Sequence, residues 1–277
     1  MHPRTLARQF AATLAELRET WEVQYWPGGK LPTPVQQNAP QPAETGPQPA
    51  PRLPVVDEIR TQAKAWTPAM KLDYLRERNI GDCQRCGLAR TRSKIVFGVG
   101  NPEAKIVFVG EAPGADEDRQ GEPFVGRAGA KLTAWIIALG LTRDDVYIAN
   151  VLKCRPPGNR DPKPEEVDNC SPFLRAQIRA IAPRVIVALG THAAMLLSGR
   201  EEMTLAAMRG AELSYDVEDG AGGTRRIPIV VTDHPAFVLR QEGTEGGALS
   251  TERLVMQDLR RALELTQARD DDARAPE

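Results

Sequence analysis

The chain has 277 residues, 41% apolar and 26% charged, enough for a full-sized globular core. A formal net charge of -1 excludes a histone-like polycation but leaves room for a local basic patch on a nucleic-acid partner. The longest apolar runs are too short to span a bilayer, and the opening MHPRTLARQF lacks the layout of a secretory signal, so a cytoplasmic protein with no membrane partner is expected.

Residues Thr5 to Tyr25 place Leu6, Phe10, Leu14, Leu17 and Trp21 at helical spacing, which predicts an amphipathic helix within residues 1–26. That helix would pack on the body or dock a partner. Pro27 to Pro54 holds nine prolines in 28 residues, a composition that cannot bury a core, so residues 27–66 read as a linker. The folded body is expected over residues 67–267. It opens with Thr67-Pro68 as a helix start and continues to about Asn79.

Apolar runs and helical stretches then alternate. Lys105 to Val109 predicts a first strand, and Ala128 to Leu139 a helix. Val146 to Ala149 is a second strand, and Pro164 to Ile181 a helix with Glu165 and Glu166 in its first turn. Arg184 to Leu189 is a third strand, with a helix from Thr191, and Ile227 to Val231 a fourth. Glu218 to Thr224 reads as a turn between two extra strands. Ser250 to Gln267 closes the body, and residues 268–277 read as a disordered tail. Strands separated by helices predict an α/β fold: a central parallel four-stranded sheet with helices on both faces.

The cysteines are Cys83, Cys86, Cys154 and Cys170, a C-x2-C pair and a wide second pair. Four thiolates complete the coordination of zinc or of an iron–sulfur cluster, and spacing alone leaves the two open. Either would tie the segment before the first strand to the segment after the second. From Gly81 to Gly210 there are 18 Lys+Arg against 15 Asp+Glu. Arg85, Arg90, Arg92, Lys94, Lys153 and Arg155 cluster near the cysteines, either balancing anionic sulfur or facing phosphates.

Ligands of an open parallel sheet sit beyond the carboxyl ends of its strands. There the chain delivers Glu111-Ala112 with Glu117, Asn150, a glycine turn before His192, and His234 in a His-Pro step that holds its ring in place. His192 reads as an ordinary first-turn residue of a helix. Phe124 stands between glycines and a proline in a polar loop of a chain only 5% aromatic, as a loop anchor or a platform for a flat base.

GEAPGADED from Gly110, QGEPFVGRAG from Gln120, NVLKCRPPGNRDP from Asn150, LGTHA from Leu189 and HPA at His234 resemble, in order, the family 4 uracil-DNA glycosylases, the iron–sulfur type. The likeness covers roughly Ile80 to Leu265. It implies a [4Fe–4S] cluster on Cys83, Cys86, Cys154 and Cys170, and so a metal-bound N-terminal segment to the fold. It implies that Phe124 stacks on a flipped uracil, Asn150 bonds its pyrimidine edge and His234 stabilises the leaving anion at O2. Glu111 and the Ala112 backbone would line the pocket near the attacking water, and Glu117 would lie where thymine carries its methyl. Arg90, Lys94, Arg155 and Arg240 would hold the DNA backbone.

The implied activity is hydrolysis of the N-glycosidic bond of uracil in single- or double-stranded DNA by a monomer working at the nucleoid. Two departures stand out. Ala236 occupies a position where the family often has serine, and the first seventy or so residues have no counterpart in compact members. A related branch that traps DNA covalently has a basic loop ending in histidine; Arg155 to Arg160 contains none, so ordinary turnover is expected. The rivals are a non-catalytic nucleic-acid-binding module with a structural metal, and a glycosylase for another damaged base.

Overall fold

The computed structural model describes residues 65–200, 203–218, 223–241 and 247–272. The chain divides into two units, Met1–Trp66 and Thr67–Glu277, and the fold described belongs to the second. The amphipathic helix expected over 5–25 and the proline-rich linker lie outside the described residues.

Helix α1 (Pro68–Tyr74) starts where its chemistry says it should. The Thr67 hydroxyl accepts the Met70 amide at 3.3 Å, and proline occupies the first turn. The winding loosens into a π-type turn over Leu75–Ile80 and stops at Gly81, whose φ of 40° suits glycine alone. The chain next makes a short 3-10 turn at Gly87–Arg90 and a two-residue strand, β1 (Val99–Gly100).

Strand β2 (Ile106–Gly110) leads through a tight turn into α2 (Ala115–Gln120), then α3 (Arg127–Ala138) and β3 (Tyr147–Asn150). Helix α4 (Pro164–Ile181) is capped by Glu166, which accepts from the Lys163 amide and pairs with Arg160 at 2.6 Å. Strand β4 (Val185–Leu189) feeds α5 (Thr191–Ser198) and the short α6 (Leu205–Arg209). A hairpin of β5 (Leu213–Glu218) and β6 (Thr224–Thr232) precedes α7 (Pro235–Gln241) and the closing α8 (Gly247–Asp272).

The sheet has six strands in the order β1-β3-β2-β4-β6-β5, not four. Its centre is parallel, β3 beside β2, β2 beside β4 and β4 beside β6, and an antiparallel strand is added at each edge. The central strands are buried along their length, which is why they read as unbroken apolar runs. Strand β1 is too short to show periodicity. The first half of β6 carries Thr224, Arg225 and Arg226 because it pairs only with the edge strand β5, so its polar start hid its true length.

One side of the core gathers Phe108, Leu132, Trp135, Ile136, Val187 and Leu189 with Val255, Leu259 and Ala262 of α8. Burying each of the valine, leucine, isoleucine and phenylalanine side chains contributes roughly 1.5–3 kcal/mol, so this layer holds the helices against the sheet. The closing helix continues past Gln267 to Asp272. Among the described residues, no helix is long and apolar enough to cross a membrane.

Candidate active site and cysteine cavity

Sheet order decides which polar groups meet. Along the carboxyl edge lie β3 with Asn150, β2 with Gly110 and Glu111, β4 with Gly190 to His192, and β6 with Asp233 and His234. Gly110 pairs with Asn150 in register, and the Val151 and Leu152 amides continue the ladder onto the Gly110 and Glu111 carbonyls at 2.9 Å each. A Cβ on Gly110 would fall 2.4 Å from Asn150 Oδ1 and 2.6 Å from Phe124 Cζ. Asn150 is 1% exposed, and its Oδ1 is buried with no hydrogen-bond partner. A buried acceptor without a donor is costly, so Oδ1 is an open acceptor at the end of this strand.

Phe124 reaches the same point from the loop between α2 and α3. Its ring centroid lies 5.6 Å from that of His234, with the planes tilted by 37°. Its backbone is left-handed, φ 54°, unusual for an aromatic residue. Three contacts hold it there. Glu117 Oε1 accepts the Val125 and Gly126 amides at 2.9 Å each. Arg143 donates to the Phe124 carbonyl at 3.1 Å and the Pro123 carbonyl at 2.9 Å. Gly129 lies so close that a Cβ there would overlap the Phe124 carbonyl.

The Ala236 amide donates to His234 Nδ1 at 3.2 Å. Nδ1 is thereby an acceptor, which puts the ring proton on Nε2. Burial of the ring, with the Arg240 guanidinium close by, pushes His234 down to about 4, and Glu117 opposes the shift. The imidazole is neutral at physiological pH and presents an N–H. Behind it, Arg209 of α6 pairs with Asp233 Oδ2 at 2.5 Å and Asp258 Oδ2 of α8 at 2.9 Å, fixing the end of β6.

The turn before α5 is pressed onto the same site, since a Cβ on Gly190 would sit 3.3 Å from His234 Cβ. His192 Nδ1 lies 2.6 Å from Glu111 Oε2. This pairing escaped the sequence reading, because it joins residues 81 apart across neighbouring strands.

Cys83, Cys86, Cys154 and Cys170 line a single cavity with Arg92, Lys153 and Phe173. All four are free thiols, and among the described residues no three His, Cys, Asp or Glu side chains converge on a point that would hold one ion. Burial pushes the Cys154 thiol up to about 11 and the Cys170 thiol up to about 12. Arg92 points inward and donates to the Cys83 carbonyl at 2.8 Å and to Cys154 Sγ at 3.7 Å. The Lys153 amide donates to Cys170 Sγ at 3.2 Å, while its Nζ donates to the Asn150 carbonyl at 2.8 Å and to Gln177 Oε1 at 2.6 Å. Burial pushes the Lys153 ammonium down to about 7, against the pull of the two nearby thiols.

Arg92 and Lys153 therefore serve the sulfur cavity, whereas Arg90 and Lys94 are exposed beside it. Arg155 is bonded to Asn159 Oδ1 at 2.7 Å, and Arg240 is exposed on α7, 5.9 Å from the Phe237 ring centroid.

The family model of the uracil DNA glycosylase superfamily matches residues 97–260. The chain is 50% identical to a type-4 uracil-DNA glycosylase of Archaeoglobus fulgidus over 165 residues, 58% of this chain and 80% of that protein. It is 42% identical to the type-4 uracil-DNA glycosylase of Thermotoga maritima over 71% of this chain and 95% of that one. The chain belongs to the type-4 uracil-DNA glycosylases. A type-5 uracil-DNA glycosylase of Pyrobaculum aerophilum is similar over a shorter stretch, 42% identical over 33% of this chain and 46% of its own length. The Phe124 loop, the Asn150 strand end and the His234 turn all lie within the residues that the superfamily model matches.

Proposed function

We propose that this type-4 uracil-DNA glycosylase hydrolyses the N-glycosidic bond of a uracil flipped out of DNA, leaving an abasic site that starts base excision repair. One observation carries the reading: the orphaned Oδ1 of Asn150, walled in by Phe124 and Gly110. A uracil ring offers an N–H flanked by two carbonyls, so its N3–H supplies the donor that Oδ1 lacks. Cytosine has an acceptor at that position and would leave two acceptors opposed.

The remaining groups fit the chemistry. A base inside a duplex is out of reach, so it must be extruded or taken from a single strand. Phe124 covers the face of the flipped ring. As the bond from C1′ to N1 breaks, electrons move onto uracil, and the Nε2–H of neutral His234 donates to the O2 that gains charge. The Glu111 carboxylate accepts a hydrogen bond from the water that captures C1′, and the Ala112 backbone lines the same wall. Glu117, fixed by its bonds to the Val125 and Gly126 amides, stands where thymine would place a methyl. Arg90, Lys94, Arg155 and Arg240 lie toward the DNA backbone. We read the enzyme as a monomer acting on chromosomal DNA in the cytoplasm.

The four cysteines fit a [4Fe–4S] cluster: they share one cavity, and Arg92 and the Lys153 amide already donate to two of the sulfurs. Bound there, the cluster would cross-link the segment before β1 to α4 and the chain after β3. The test is release of free uracil from an oligonucleotide with one dU, in single- and double-stranded form. DNA retention without base release would leave a binding module in its place.

A further inference from the structure

We propose that His192 is a positioning residue for Glu111, holding its carboxylate in the orientation that receives the attacking water. The inference deepens the glycosylase reading and rests on it.

His192 opens α5 and is exposed, with 49% of its side chain open to solvent, while Glu111 retains 29%. A pair this exposed adds little to stability, so fold maintenance does not account for it. The geometry is nevertheless specific. Nδ1 meets Glu111 Oε2 at 2.6 Å, the short range of a charge-assisted bond. A carboxylate can only accept, so the ring donates from Nδ1 and turns its Nε2 edge outward.

Both ends of the pair are fixed by backbone. The Glu111 carbonyl accepts the Leu152 amide at 2.9 Å, tying it to the chain that continues from Asn150. On the other side, the Gly190 amide donates to the Thr232 carbonyl at 2.9 Å, and Gly190 adopts a φ of 92° that brings its turn against His234. Strand β4 lies between β2 and β6, so the turn that follows it reaches both Glu111 and His234.

The consequence is chemical. With Oε2 held by His192, the carboxylate stops rotating and its other oxygen has one direction. Among the described residues no group is bonded to Oε1. A held carboxylate places a water; a freely rotating one shares it with bulk solvent. His192 acts through Glu111 and touches neither the base nor the sugar.

The experiment is single-turnover and steady-state excision on a dU oligonucleotide by wild type, His192→Ala, His192→Asn, Glu111→Ala and Glu111→Ala/His192→Ala, with a melting curve for each. His192→Ala is expected to lower kcat about tenfold, the scale of one hydrogen bond to a charged group, with KM for DNA unchanged. His192→Asn, whose amide can take the place of Nδ1–H, is expected to restore most of it. In the Glu111→Ala background, removing His192 is expected to cost nothing further, because the pair acts as a unit. Wild-type kcat in His192→Ala would overturn the proposal. So would a loss confined to KM, an undiminished loss in the Glu111→Ala background, or a collapse of melting temperature in both His192 variants. Failure of wild type to release uracil would strike the glycosylase reading itself, a separate result.

Discussion

The rings of Phe124 and His234 lie with centroids 5.6 Å apart and planes 37° from parallel. They come from separate elements, one on the loop after α2 and the other at the end of β6, and Asn150 Oδ1 is buried beside Phe124. Removing either polar group should slow chemistry sharply without harming the fold. His234→Ala is expected to slow excision by about 10²–10³, the scale of losing one donor to a developing anion. Asn150→Ala should do the same and yet melt at or above the wild-type temperature, since it deletes a buried acceptor that has no partner. Near-normal uracil release by both variants would refute the site.

Burial of His234 gives a pH signature. Its folded-state value of about 4 lies below the ordinary 6.5, so between those values the unfolded chain binds a proton that the native ring does not. Stability from this residue is therefore complete above about 6.5 and falls as pH drops toward 4. Excision should stay level down to about pH 5 and then decline as the ring charges. His234→Gln should flatten that part of the stability profile in melting experiments from pH 4 to 7.

At Gly110 the side chains of Asn150 and Phe124 converge. A methyl there would stand 2.4 Å from Asn150 Oδ1 and 2.6 Å from Phe124 Cζ. Gly110→Ala should displace the phenylalanine and occupy the space of the base. A loss of excision of about 10² or more is expected, with uracil no longer inhibiting as a free ligand. Retained inhibition by free uracil would show that the base sits elsewhere.

Glu117 bonds two amides of the Phe124 loop. Glu117→Ala strands both donors and should destabilise the protein by about 1–3 kcal/mol, measured by urea unfolding. It should also raise KM by releasing the aromatic platform. Unchanged stability would mean that water replaces the carboxylate at no cost.

Cys170→Ser should lose the broad visible absorption expected of an iron–sulfur protein, and melt earlier, because α4 would no longer be cross-linked to the cysteine segment. A colourless wild-type protein containing zinc would overturn the cluster assignment.

Much of the sheet was legible because central parallel strands are buried on both faces and so leave apolar runs, as at Ile106 to Val109 and Val185 to Leu189. Helix α4 was legible through its proline start and acidic first turn. Glu111, Asn150 and His234 stood out as candidates because strand ends are where such sheets place ligands, and the fold brings Asn150 and His234 around Phe124. What escaped was non-local. His192 looked like an ordinary helix residue until sheet order set it beside Glu111. Arg92 and Lys153 looked like surface cations in a basic cluster, and only the fold shows both turned inward. The short helix α2 was hidden in a motif that reads as loop, its first turn crowded with Asp116, Glu117 and Asp118.

Lys153 gives the molecule a short mechanical link. Its amide grips Cys170 Sγ while its ammonium grips the carbonyl of Asn150 and the carboxamide of Gln177. The sulfur cavity and the end of β3 thus share one residue. Damage to the thiols therefore need not unfold the protein to be felt at the candidate site, because the backbone that carries Asn150 is held through Lys153.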